Sequence, residues 1–245
     1  MATTNNSLNN TSSTSIASTT QTFTISNSDN TGTSDAVLQL SVGGSGTSGD
    51  AYNSFVVSGA NTWTSGIDNS NNDNFVISAN ASLGTTNTFV MTTGGSNTLP
   101  LTSAYTLYPS GTLTDVTGNG SYAPVVYDTT LFDQNSNNTT TTFTAPETGK
   151  YILCATFLYS GITAGMWSTN FQFNASNRTF IDNIQWPGKT MDVNTKLSQY
   201  HTKIIDMDAG DTVTLTSNIS NGAKVVDILG GTSPMQSIKS GFLAC

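Results

Sequence analysis

The feature that most constrains this chain is the spacing of its apolar residues, which occur in short alternating runs. Examples within residues 36–93 are AVLQLSV, NSFVVSG, NFVISA and TFVMTT, each bounded by Gly, Asn, Asp or Ser. Alternation places every second side chain on one face of a strand, and the bounding residues favour turns. Helical periodicity is absent, and the good helix formers Ala, Glu and Lys are scarce. The pattern predicts an all-β protein.

Apolar residues make up only 36% of the 245 residues, and charged residues only 9%. Alternation still lets this sparse apolar set form a buried face. No stretch approaches the about 20 apolar residues of a membrane span. The start, MATTNNSLNN, has neither the basic region nor the apolar core of a secretory signal. We therefore expect neither membrane insertion nor export through such a signal.

Charge is distributed unevenly along the chain. Residues 1–149 contain nine acidic residues and no basic one, and residues 150–245 contain six acidic residues and all seven basic ones. This asymmetry predicts two modules. The net charge of −8 gives no electrostatic reason to bind nucleic acid or an anionic membrane, because both require clustered Lys and Arg.

Composition and alternation together predict three segments. Residues 1–20 form a polar, low-complexity arm that has almost nothing to bury, and we expect it to be flexible and to anchor the protein. Residues 21–120 form a β-rich shaft of short strands. Residues 121–245 contain eight alternating runs, which favour a sandwich or jelly roll.

The Asn- and Asp-rich stretch at residues 61–78 has two interpretations, a calcium loop or a turn. A helix-loop-helix calcium loop that starts at Asp68 needs Gly at its sixth position and Glu at its twelfth, but these positions hold Asp73 and Ala79. A turn is therefore favoured, since Asp and Asn side chains satisfy nearby backbone groups. The ordered set W-x-x-G-x-D-N-S-x-x-D-x-F, from Trp63 to Phe75, resembles a module of phage tail fibres and related viral appendages that would span residues 34–95.

The sequence offers little for metal binding or cofactors. Cys154 and Cys245 are the two cysteines, His201 is the single histidine, and no Cys-x-x-Cys occurs. We predict no metal site and no cofactor. The cysteines are interpreted as packing thiols, and a disulfide between them remains open because their strands could pair.

A second resemblance covers residues 121–245. The passage F-x-x-P-x-x-G-x-Y, formed by Phe143, Pro146, Gly149 and Tyr151, resembles the trimeric jelly rolls of complement C1q and the tumour necrosis factors. Gly210–Val213 and the closing Gly241–Phe242 agree with the same family. The resemblance implies a jelly-roll β-sandwich that forms a homotrimer. Separately, residues 21–120 have too few large apolar side chains to offset an ordering entropy of about 1–2 kcal/mol per residue, so shared burial between chains is expected.

The carboxylates of the sequence do not favour an enzyme. Paired carboxylates could cut a glycosidic bond if they lay about 5–9.5 Å apart across a cleft. The candidate groups are Asp68 with Asp73, Asp128 with Asp133, and Asp206 with Asp208 and Asp211. The first and last of these groups lie in turns rich in Gly and Asn, where carboxylates usually cap backbone amides. No G-x-S-x-G elbow is present either. We predict a protein without catalytic activity.

The resulting hypothesis is a trimeric fibre or spike of a virion surface appendage. Its head would bind a host surface glycan or receptor, and its N-terminal arm would contact other virion appendage or capsid proteins. An alternative is a structural capsid-decoration or assembly protein without receptor binding, and a bacterial surface adhesin is a third possibility.

Counting strands predicts which end of the head meets the host. The tight connections at 146–149 and 208–211 should share one end with both termini of the head. The longer connections at 133–140, 159–167, 184–196 and 220–235 should form the opposite, distal end. Aromatic rings beside carboxamides suit sugar or peptide binding. The candidate contact residues are Tyr159, Trp167, Trp186 and Lys189, with Trp186 first among them. The alternative for the two tryptophans is packing beneath the loops.

Overall fold

The computed structural model describes residues 24–28, 35–43, 49–185 and 195–245. The described residues form seventeen β-strands and one 3₁₀ turn and no α-helix, which confirms the predicted all-β class. The described residues therefore contain no helix that is long and apolar enough to cross a membrane. The predicted arm at residues 1–20 lies outside the described residues.

The chain divides into two compact units, residues 1–45 and 46–245. In the first unit, the described stretches 24–28 and 35–43 contain no helix or strand. Asn27 Nδ2 donates a hydrogen bond to the carbonyl of Asp35 over 3.1 Å. The second unit contains every strand of the described chain.

An antiparallel meander, here called the N-terminal sheet, opens the second unit. Its five strands follow in chain order: β1 (Ala51–Val56), β2 (Thr62–Asp68), β3 (Asn74–Ser78), β4 (Asn87–Met91) and β5 (Asn97–Thr98). The short 3₁₀ turn at Asn69–Asn71 joins β2 to β3, and Asn72 and Asp73 both adopt a φ of 56°. Asn and Asp tolerate this left-handed conformation better than most residues. The predicted turn in the Asn- and Asp-rich stretch is thus confirmed.

Two further sheets form a sandwich. The β11 sheet contains β6 (Ala104–Tyr108), β7 (Leu113–Thr117), β9 (Thr129–Gln134), β11 (Gly149–Ile162), β14 (Thr195–Met207), β16 (Val226–Ile228) and β17 (Ile238–Leu243). The β12 sheet contains β8 (Ala123–Pro124), β10 (Thr142–Thr144), β12 (Ser168–Ala175), β13 (Thr179–Gln185) and β15 (Thr212–Ser220). All pairings between strands are antiparallel, and the final strand β17 inserts between β6 and β11. This is a jelly-roll arrangement.

The core lies between these two sheets. Alternate residues of β11 point inward and are buried, among them Tyr151, Leu153 and Phe157. They meet the inward residues of β12, and the rings of Phe157 and Phe171 are 4.7 Å apart between centroids. Strict alternation from Tyr151 to Tyr159 in β11 therefore supplies one continuous buried face, as the sequence pattern predicts.

The sandwich begins earlier in the chain than the sequence indicates. We placed the start of the head at residue 121, but β6 and β7 are hydrogen-bonded strands of the β11 sheet. β6 pairs with both β17 and β9, so it lies inside the sheet. Its pattern of short apolar runs resembles that of the preceding meander, which is why composition alone assigned it to the shaft.

The strand directions define two ends of the sandwich. The proximal end contains the turns at 145–148 and 208–211, where the Gly210 amide donates to the Ala145 carbonyl over 2.8 Å. The C-terminus joins them, because the Lys150 amide donates to the Cys245 carbonyl over 2.7 Å. The start of β6 is also here, since Ala104 pairs with Phe242. The predicted grouping of these turns with the C-terminus is confirmed. The predicted placement of residue 121 with them is wrong, because the Gly120 amide donates to the Ile219 carbonyl over 3.1 Å, at the opposite end of β15.

One connection lies at the other end from where the sequence placed it. Residue Gln134 at the end of β9 pairs with Ala104, so the connection after it is proximal. Asn137 Nδ2 donates to Ser103 Oγ over 3.3 Å, which ties the connection to the start of the sandwich. The expectation that 133–140 contributes to the distal tip was therefore wrong. The strand count had not included β6, which shifts the direction of β9.

Candidate recognition and assembly surfaces

The distal end is formed by the connections after β11 and β15 and by the flanks of the segment between β13 and β14. Asn221 holds this end together: its Oδ1 accepts from the Thr163 amide at 2.8 Å and from Thr163 Oγ1 at 2.9 Å. Its Nδ2 donates to the Gly161 carbonyl at 3.3 Å. Asn221 is buried, so these contacts fix the loop after β11 against the end of β15.

Trp167 lies on this fixed loop and faces solvent. Its side chain is 60% exposed, while its amide donates to the Ser220 carbonyl over 3.1 Å. The alternative that Trp167 packs beneath the loops is therefore wrong. A held backbone with a free indole face is an arrangement suited to stacking on a ligand ring.

Tyr159 does not belong to the tip. It lies within β11 rather than in a loop, is fully buried, and its hydroxyl is 2.8 Å from Ser217 Oγ across the core. Burial raises the pKa of its hydroxyl well above the ordinary value. A side chain with no exposed surface cannot contact a receptor, so Tyr159 is removed from the candidate set. The sequence predicts a loop from residue 159, but β11 continues to Ile162.

Trp186 and Lys189 lie outside the described residues. The residues that flank their segment, Gln185 and Thr195, are at the distal end, because Gln185 pairs with Ser168 and Thr195 pairs with Ile162. Their role as contact residues stays a prediction.

The outer face of the β11 sheet is a second surface, and sequence reasoning did not identify it. Register aligns its outward side chains in rows across neighbouring strands. One row contains Ala104, Phe242, Ile152 and Ile204, the next Phe132, Thr106, Ser240, Cys154 and Thr202, and the third Ile238, Thr156 and Tyr200. None of these side chains carries a charge. The chargeless rows contrast with the rim, where Lys150 pairs in register with Asp206.

Large side chains on this outer face are exposed in the single chain. Tyr200 is 76% exposed, Ile204 65% and Phe242 47%. Solvent-facing strands normally carry polar residues, so an aromatic and aliphatic surface of this extent indicates a contact with another protein. The signal in the sequence was the segment KLSQYHTKIIDM, where apolar residues occupy both phases of the alternation in β14.

A polar cluster closes the open edge between the two sheets. Asp182 on β13 accepts from Lys203 Nζ at 2.5 Å and lies 3.0 Å from His201 Nδ1, both on β14. The His201 ring stacks on Phe171 with 4.4 Å between centroids. Burial lowers the pKa of His201, whereas the hydrogen bonds from Lys203 and His201 outweigh burial and lower the pKa of Asp182. The cluster clamps the edge strands together rather than opening onto a cleft.

A shallow cleft of about 330 Å³ lies at the proximal end. Its lining includes Lys150, Asn177 and the ion pair between Arg178 and Asp206, whose atoms are 2.8 Å apart. Both partners of this pair are largely exposed, so the pair contributes little to stability.

In the described part of the chain, no group of three or more His, Cys, Asp or Glu side chains is placed to hold a metal ion. Both cysteines are free thiols, so the open disulfide alternative is not realised in this structure.

Comparison with known proteins gives structural similarities only. No family model and no curated protein matches the sequence. The globular domain of zebrafish complement 1qA protein is similar over 58% of this chain and 98% of that chain, with 15% identity and a TM-score of 0.41. Murine APRIL at pH 5.0 is similar over 58% and 98% of the two chains, with 16% identity and a TM-score of 0.39. The jelly-roll description of this chain rests on its own strand pairings.

Proposed function

We propose that this protein is a homotrimeric fibre or spike of a virion surface appendage, and that its sandwich binds a host surface glycan or receptor through the distal end. It acts by binding and assembly and not by catalysis. The observation that carries the proposal is the set of three chargeless rows on the outer face of the β11 sheet, where Tyr200, Ile204 and Phe242 are exposed, and it supports assembly. The fibre identity is supported by the resemblance of residues 34–95 to viral appendage modules.

A second copy of the same chain is the partner that fits the outer face of the β11 sheet. The chain carries a net charge of −8, so copies repel one another wherever their charged surfaces meet. The three rows around Ile152, Cys154 and Thr156 avoid this repulsion because they hold no charge. Contact between copies about a rotation axis closes into a ring. The resemblance to trimeric jelly rolls supports three copies.

Trimer formation places the binding end at one pole. The proximal end contains both termini of the sandwich, so the preceding meander leaves from there and the distal end faces away from it. Three copies of Trp167 would then be presented together. Several weak sites on one particle raise the overall binding strength by about 10²–10⁴ without any new contact.

The mass of the full chain in solution tests the assembly. The wild-type protein should have three times the mass of the 25.6 kDa chain. Ile204→Asp places a charge in the outer face of the β11 sheet and should give monomers, because each copy would bury an unpaired carboxylate. Ile181→Asp is the matched control, since Ile181 is 55% exposed on the outer face of the β12 sheet. A folded wild-type monomer at micromolar concentration would contradict the proposal.

A further inference from the structure

In the N-terminal sheet, the face with the larger apolar side chains is exposed to water, and the face with most of the polar side chains is buried. The register of β1 to β4 places one set of side chains on a common face: Ala51, Phe55, Trp63, Ile67, Phe75, Ile77, Phe89 and Met91, with Asn53 and Ser65 between them. This set is called the Trp63 face. None of its members is charged. The opposite face contains Thr64, Asp68, Asn74 and Ser78, together with Val76 and Val90.

Over β2 to β4, the polar side of the sheet is the buried one, whereas Tyr52 and Val56 on the same side of β1 are exposed. Thr64 and Ser78 have no exposed surface, and Asp68 is 2% exposed. The connection after β3 covers them: the Gly84 amide donates to Ser78 Oγ at 3.0 Å, and a Cβ at Gly84 would collide with Asp68. The apolar cluster on this side consists of only Val76, Leu83 and Val90 among the described residues.

The Trp63 face is left exposed by the same arrangement. Phe55 is 59% exposed, Trp63 42%, Met91 40%, Ile67 39% and Phe75 38%. A half-covered antiparallel sheet normally turns its apolar face inward and its polar face to water. Here the larger apolar side chains point outward, and three small to medium ones form the inner cluster. The sheet therefore lacks the greater part of its core.

We infer that the Trp63 face is a contact between copies of this chain, in which the N-terminal sheets of the trimer bury these side chains against one another. The inference rests on the proposed homotrimer and adds a second interface to it. A second copy is the occupant because the Trp63 face holds no charged side chain, so two such faces can meet without the repulsion that the net charge of −8 creates elsewhere between copies. The Trp63 face and the three rows on the outer face of the β11 sheet share one property, an exposed surface without charged side chains.

Paired cysteine variants test the contact in the full chain. Ser65→Cys lies at the centre of the Trp63 face, and Ser54→Cys on the neighbouring strand lies on the opposite face, where Ser54 pairs with Thr64. Both are made with Cys154→Ser and Cys245→Ser. A short bis-maleimide should link copies through Cys at 65 at least tenfold faster than through Cys at 54. The rate at 65 should not change with protein concentration, because the link forms within an assembly.

The outcomes separate this inference from the proposed function. A monomeric wild-type chain overturns both. Two results with a trimeric wild type would overturn the Trp63 contact alone. In the first, Cys at position 65 links copies no faster than Cys at position 54. In the second, a monofunctional maleimide labels position 65 as quickly as position 54, and either result leaves the Trp63 face for a different protein. If the Ser65→Cys variant fails to assemble, Phe75→Asp against Tyr52→Asp on the opposite face repeats the test. Phe75→Asp should at least halve the assembled fraction, and equal assembly of the two variants overturns the contact.

Discussion

At the scale of single residues, Lys239 is the most unusual member of the core. It is only 2% exposed, and its Nζ donates to the Thr139 carbonyl at 3.3 Å and lies 5.3 Å from the Tyr127 ring centroid. Tyr127 Oη is buried without a hydrogen-bond partner in the described structure. Burial lowers the pKa of Lys239 to about 8, and the carboxylate of Asp133 opposes the shift. The protonated amine therefore costs folding free energy at neutral pH.

Replacing Lys239 by Met should raise the free energy of unfolding at pH 7 by about 1–3 kcal/mol, because an apolar side chain of similar length needs no hydration. The folded-state pKa lies below the unfolded value of 10.5, so the unfolded wild-type chain binds more protons between pH 8 and pH 10. Wild-type stability should rise with pH across this window. Urea unfolding at several pH values measures both effects. An unchanged pH slope in Lys239→Met would assign the dependence to another group.

At the scale of strands, alternation predicts where strands form better than which way their faces point. Residues 151–159 alternate strictly, so both the strand β11 and its buried face follow from the sequence. In β2 and β3 the alternation predicts the hairpin, yet Trp63 and Phe75 face outward and Asp68 faces inward. Contacts from the connection between β3 and β4 decide which face is buried, as when the Gly84 amide donates to Ser78 Oγ. The alternation does not specify the path of that connection. Tyr159 was misplaced for a related reason, since a strand boundary depends on its partner strands.

The Asp182 clamp is an element-scale device, because it joins β13 to β14 at the open edge of the sandwich. Asp182→Asn should lower the free energy of unfolding at pH 7 by about 1–3 kcal/mol, since it removes the charge that Lys203 and His201 contact. Asp208→Asn in the exposed 208–211 turn is the control and should change it by less than about 0.5 kcal/mol.

Acid should weaken the clamp in a defined order. The pKa of His201 is lowered in the folded protein, so the stability from its neutral ring is lost as the pH falls below about 6.5. The pKa of Asp182 is also lowered, and its contribution is lost only at more acidic pH, below about 4. Thermal unfolding between pH 7 and pH 3 measures both steps. If Asp182→Asn and the wild type lose stability equally below about pH 4, the loss in that range does not come from Asp182.

At the scale of the whole molecule, the proposals involve three surfaces of two kinds. The three rows on the outer face of the β11 sheet and the Trp63 face hold no charged side chain, which suits permanent burial between copies. Among the described residues, the distal end carries the exposed indole of Trp167 on a loop held by Asn221. The distal position of the connection after β11 could be predicted from strand order, but the outer face of the β11 sheet could not. Its residues become one surface only when β6, β17 and β14 are aligned on β11.

Trp167→Ala should weaken ligand binding by the assembled protein without changing its mass or thermal stability, because the indole is 60% exposed and the loop backbone is held by its own hydrogen bonds. Loss of one stacked ring is worth about 1–3 kcal/mol, and three sites on one trimer increase the loss of overall binding strength. An array of surface glycans, probed with fluorescent full-length protein, measures the effect. Ile181→Ala, an exposed apolar residue on the outer face of the β12 sheet, is the matched control and should bind like the wild type. If the wild type binds and Trp167→Ala binds equally well, recognition does not use this loop. A wild type that binds no surface ligand would favour a purely structural role for the protein.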